Sequence, residues 1–160
     1  MQRSEQLARR FREVFLNGHW VANTNYQDQL SVLGYAQATT KIGTLNTIAL
    51  LTFHINYYVK GLLNVFEGGK LEIKDMYSFD APKLASDEDW KQLCNSLLEN
   101  SEKFAAMVET MADEKLDAVF VNEKYGTFQR NIDGLIEHAY YHLGQITLVK
   151  KMLAEKKLEI

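Results

Sequence analysis

Residues 127–153 read TFQRNIDGLIEHAYYHLGQITLVKKML. Along this stretch Phe128, Ile132, Leu135, Ala139, His142, Ile146, Val149 and Leu153 follow one another in alternating steps of four and three. That is the period of a single buried helix face, with one histidine set into an otherwise apolar stripe. The helix is expected to start near Thr127. Lys150, Lys151, Lys156 and Lys157 then suit the negative pole at its C-terminal end.

Working outward, the same period recurs three times. Ile48, Thr52, Ile55, Val59, Leu62 and Phe66 form a second stripe, stopped by Gly68-Gly69. Trp90, Leu93, Leu97, Ser101, Phe104, Val108 and Met111 form a third. Its start is marked by Ser86 as a cap and by Glu88 and Asp89 in the first turn. Leu7, Phe11 and Val14 mark a shorter helix over residues 3–17, ending near Asn17-Gly18. The expected fold is therefore all-α, a four-helix bundle with long crossover connections, built as one domain over residues 1–160. Within the connection 18–42, Thr24 with Gln27 could cap a short helix from Gln27 to Leu33. Residues 67–85 read as a long crossover with a little extended structure around Leu71 and Ile73. In residues 112–126, Leu116, Val119 and Phe120 are expected to pack back on the bundle.

Composition sets the class and excludes several alternatives. The 160 residues carry a net charge of −3, which gives no electrostatic reason to expect nucleic acid as a partner. A single cysteine, Cys94, rules out an internal disulfide and any paired-cysteine metal or redox motif. The polar start, with Arg3, Arg9, Arg10 and Arg12, lacks the apolar run of an export signal. The most apolar stretch, from Ile48 to Phe53, is far shorter than the roughly 20 residues of a membrane span, so a cytoplasmic chain with no membrane partner is expected. Glycine-rich phosphate loops, a GxSxG turn, HExxH and ExxH are absent.

The histidines carry the chemistry. His138 and His142 are one helical turn apart, which places their Cβ atoms about 6 Å from each other on nearly one face and suits two ligands on one metal ion. His54 lies beside the stripe of the second helix, on a line that could face the fourth helix across the bundle. Three neutral imidazoles would bind a divalent first-row metal and leave a position open for water or substrate, the arrangement of catalytic sites. Such a metal could activate a water or hold a thiolate, and the residues do not choose between these. His19 reads as a surface residue and Cys94 as a core one, while Tyr57, Tyr58, Tyr140 and Tyr141 read as packing residues.

The segment Tyr125-Gly126-Thr127, followed by Glu137-His138-Ala139-Tyr140-Tyr141-His142-Leu143-Gly144-Gln145-Ile146, resembles the last-helix signature of the DinB/YfiT-like superfamily. In that family a histidine of the second helix joins two histidines four apart near the chain end, and the matching positions here are His54, His138 and His142. The resemblance implies a bundle with up-down-down-up connectivity and a nickel, zinc or iron ion held by the three histidines. It also implies a homodimer, and kinship with thiol transferases and isomerases that use bacillithiol, mycothiol or glutathione. A role in stress response and a small-molecule substrate, with a low-molecular-weight thiol as cosubstrate, follow from the same resemblance. The alternative is a metal-binding bundle that is not catalytic and serves stress response or interaction.

Several neighbours are candidates to support the ligands. Tyr58 lies one turn after His54, and Gln145, three after His142, could orient a ligand ring. Gly134 and Asn131 lie one and two turns before His138, where the glycine could open space beside the metal or allow close helix packing. Gly144 is expected to admit a partner helix.

Overall fold

Pro82 is the single proline and lies in a connection. No ring therefore removes a backbone donor inside the long amphipathic stretches, and each runs as a continuous helix. The computed structural model describes residues 2–156. Its α-helices are α1 (Arg3–Arg12), α2 (Tyr26–Leu30), α3 (Tyr35–Thr39), α4 (Ile48–Phe66), α5 (Asp87–Glu109), α6 (Asp113–Asp117) and α7 (Phe128–Lys156). Among the described residues there is no strand, only a bridge between Val119 and Thr127, so the fold is all-α. None of these helices is long and apolar enough to cross a membrane. Lys157, expected at the end of α7, lies outside the described residues.

The helix starts follow local chemistry. Ser86 accepts a hydrogen bond from the Asp89 amide, and Thr47 accepts one from the Leu50 amide, at the starts of α5 and α4. α1 passes into a π-helical turn over Glu13–Asn17 and stops at Gly18, where a side chain would collide with Glu13. α4 stops where Gly68 takes a positive φ of 92°. The helix expected over residues 27–33 is shorter and starts earlier, at Tyr26. Its cap is Asn25 and not Thr24, because the buried Asn25 amide also donates to the Gly18 carbonyl and the Asp28 carboxylate.

α5 packs against α1 and α4, and α7 packs against α4 and α1. An aromatic run crosses the space they enclose. Phe15 stacks on Tyr26 (5.0 Å) and Phe11 (4.5 Å), Phe11 meets Phe104 (4.8 Å), Phe104 meets Phe66 (4.7 Å), and Phe66 meets Phe128 (5.2 Å). One set of rings thus ties α1, α5, α4 and α7 together. The buried Tyr26 hydroxyl donates to the Ala139 carbonyl, and Trp90 Nε1 donates to the Leu33 carbonyl, so these large rings keep their polar ends paired.

The connections depart from expectation in detail. The crossover 67–85 contains a 3₁₀ turn at Asp75–Tyr77 and no extended ladder, although Leu71 and Ile73 do pack against the core. Leu116 and Phe120 are buried, but Val119 is 51% exposed. It sits at the short bridge to Thr127, where alternation turns its neighbour Phe120 inward and Val119 outward. Cys94 packs half-buried against the core, and burial pushes its thiol up to about 12, which makes it a packing group and not a nucleophile.

Candidate metal centre

His54 stands in the middle of α4, and His138 and His142 stand one turn apart on α7, which packs on α4. The three rings meet. His54 Nε2 is 3.2 Å from His138 Nε2, and His142 Nε2 is 2.8 Å from the same atom. The ligating atoms of all three lie within 4.8 Å of one another. These three histidines could hold a metal ion, and no carboxylate joins them within that distance among the described residues.

The outward-facing nitrogens fix where the protons sit. His54 Nδ1 faces the Ser78 carbonyl oxygen at 3.2 Å. A carbonyl only accepts, so Nδ1 carries the hydrogen. His142 Nδ1 donates in the same way to Gln145 Oε1 at 2.7 Å. In the neutral rings both Nε2 atoms are then bare lone pairs directed at His138 Nε2. One hydrogen on His138 Nε2 can serve only one of them. At least one lone pair is left facing a nitrogen that has no proton for it, and a cation at the point of convergence satisfies all three. Separations of 2.8 and 3.2 Å are open to donors that share one ion at roughly 2.0–2.1 Å.

Electrostatics favour the same state. His54 and His142 are each 5% exposed, and His138 is half-buried. Burial, followed by the charge of His142 and then of His54, lowers His138 to about 4. Burial and then His142 lower His54, while burial lowers His142 against a smaller opposing effect of Gln145. The rings are therefore neutral at neutral pH, the form that ligates.

A cover comes from the crossover. Phe79 stacks face-on over His54 with centroids 3.9 Å apart, and the buried Ser78 supplies the carbonyl described above. Tyr58 stands edge-on to His54 (5.1 Å) and His138 (5.0 Å), and its hydroxyl donates to Asp75 Oδ1 at 3.0 Å. The crossover thus grips the site from residues 75, 78 and 79. Sequence reading missed Asp75, Ser78 and Phe79; the only hint was the length and aromatic content of this connection.

The supporting candidates divide. Tyr58 and Gln145 stand against the histidine rings. Asn131 does not: its amide donates to the Tyr125 and Thr127 carbonyls and secures the start of α7. A Cβ on Gly134 would meet only the Arg130 side chain at 3.8 Å, so that glycine does not admit a close helix within the chain. Tyr141, expected to pack, is 64% exposed and presents its ring edge-on to His142 at the rim. His19 is exposed, as expected.

Chemically, three neutral nitrogen donors with no fourth protein ligand among the described residues suit a divalent first-row metal and leave coordination positions for water or a small ligand. Ser78 and Gln145 hold the ring orientations from outside, as carbonyl and carboxamide partners do at metal-bound imidazoles. Comparison with protein-family models, curated proteins and solved structures finds no match to this chain.

Proposed function

We propose that the chain is a divalent-metal-dependent enzyme of DinB/YfiT type, a four-helix bundle with long crossovers. Its three-histidine site would activate a thiol cosubstrate or water for attack on a small electrophilic molecule. The observation that carries this reading is the convergence of three Nε2 atoms on one point, with the protons of His54 and His142 held on the far sides by Ser78 and Gln145. Supporting the bundle is the closed circuit of contacts α1–α5–α4–α7. The lone cysteine is half-buried and its thiol is pushed up, so a thiol, if one is used, comes from outside the chain. Tyr141, Gly144 and Leu148 share one exposed side of α7, which offers a homodimer a place to form.

The test uses tag-free protein. Elemental analysis should find one nickel, zinc or iron ion per chain in the wild type and none in His142→Ala. Metal retained at full stoichiometry in that variant would sink the assignment. Turnover of small electrophiles with added low-molecular-weight thiols, lost on chelation, would separate the enzyme from a metal-binding bundle without catalysis.

A further inference from the structure

A second concavity lies away from the histidines, between α4, α5 and the crossover, with a volume of about 1220 Å³. It arises from the phase of α4. His54 and Tyr58 turn toward α7, whereas Phe53, Tyr57 and Lys60 line this other side. Leu50 extends the α4 wall, and Leu93 supplies the wall from α5.

The roof is fixed and not a loose loop. Ile73 lies directly on the α4 backbone at Gly61, where a Cβ would stand 2.7 Å from Ile73 Cδ1. The Tyr57 hydroxyl donates to the Lys74 carbonyl (3.1 Å) and accepts from the Lys74 amide (2.9 Å). At the other end the Tyr35 hydroxyl donates to the Leu84 carbonyl. A preformed, mostly apolar concavity with a few placed polar groups is the usual form of a small-molecule site.

The polar groups specify a ligand. Asn56, only 8% exposed, donates to Ser96 Oγ at 3.1 Å, and Asn100 donates to both Asn56 Oδ1 (3.1 Å) and Ser96 Oγ (3.4 Å). The Ser96 oxygen thus receives two hydrogen bonds, while its own proton has no acceptor among the described residues. Lys60 and Lys83 border the same space, and neither is in an ion pair among the described residues. Of the acidic residues on the rim, Asp89 is engaged by the Ala85 amide, leaving Glu72 beside Ile73. An unused hydroxyl donor and two unpaired ammonium groups around an apolar trough are complementary to an acceptor-bearing anion on an apolar body.

We propose that this cavity binds a small amphipathic carboxylate, its apolar body along Leu50, Phe53 and Leu93 and its carboxylate accepting from Ser96 with a lysine alongside. The site is independent of the metal centre. Decanoate, titrated by calorimetry into chelator-treated full-length protein, should bind once per chain. Ser96→Ala should weaken it about tenfold, and Leu93→Trp, which fills the trough, should abolish it. The His54→Ala/His142→Ala variant should bind decanoate as the wild type does. In the unmutated protein, amide NMR shifts on adding decanoate should centre on residues 50–60 and 93–96. Absence of saturable binding would overturn the proposal. So would undiminished binding in a folded Leu93→Trp variant, loss of binding in the double histidine variant, or shifts confined to another face.

Discussion

Gln145→Leu isolates the part of the site that holds a ring rather than a metal. Leucine is close in size to glutamine, and position 145 is half-buried, so α7 should be undisturbed. What is lost is the acceptor 2.7 Å from His142 Nδ1. Without it the neutral ring is free to move its proton to Nε2, the nitrogen aimed at the proposed metal position, and to rotate. Removing such an outer partner costs about 10–100-fold in metal affinity, or about 1.4–2.7 kcal/mol. At a zinc concentration about 100 times the wild-type Kd, bound metal stabilises the wild type by about 2.7 kcal/mol; the same concentration should stabilise the variant by only about 0.4–1.4 kcal/mol. At about 2–4 °C per kcal/mol, the zinc-induced rise in Tm should shrink from about 5–11 °C to about 1–6 °C. Calorimetric titration with zinc and thermal unfolding with and without it read both quantities. Gln145→Glu, which keeps an acceptor in place, should retain wild-type affinity or exceed it. Zinc binding in Gln145→Leu as tight as in the wild type, with an equal rise in Tm, would refute the argument that this hydrogen bond sets the ligating tautomer.

Other perturbations test the frame around the site. Phe104→Ala removes a fully buried ring between Phe11 and Phe66 and should destabilise the chain by about 3–5 kcal/mol in urea unfolding; a loss under 1 kcal/mol would mean the aromatic run is not the core. Gly61→Ala drives a methyl group into Ile73 and should cost about 1–3 kcal/mol. Adding Ile73→Ala should recover part of that cost, whereas additive losses would contradict direct contact. In the metal-free protein the three histidines have folded pKa values below the unfolded value of 6.5, His138 at about 4. The unfolded chain then binds more protons between those limits, so their contribution is complete above about pH 6.5 and is lost as pH falls toward 4. The urea midpoint in chelator should therefore drop on acidification through that window, and replacing the three histidines by glutamine should flatten the drop.

The long helices were legible because each buries one face for several turns, and no other regular structure sustains the period seen along the stripes of α4, α5 and α7. The spacing of His138 and His142 was legible for the same reason. Their meeting with His54 depends on how α4 rolls against α7, a tertiary choice that a stripe bounds but does not fix. α2 and α3 have five residues each, too short for local propensity to hold. Asn25 secures the first through a buried side chain, and Asp87 reaches from α5 to the Tyr35 amide at the start of the second. Asn131 was misplaced because two turns along a helix amount to about 10 Å, which takes it from the histidines to the helix end. Ser78 and Phe79 act through the path of a connection, and no periodic pattern encodes such a path.

That path has a kinetic consequence. The turn covering His54 is held by short-range bonds, Tyr77 to Lys74 and Ser78 to Asp75, and it is tied to α4 through His54, Tyr57 and Tyr58. The histidine-bearing helices are held separately, by α4–α7 packing and the aromatic run. Unwinding a few residues would bare the ring nitrogens while the ligand framework stayed assembled, an opening far cheaper than global unfolding. Metal exchange would then keep the pace of a local fluctuation, and the rate of chelator stripping would be nearly independent of denaturant until the helices themselves begin to melt.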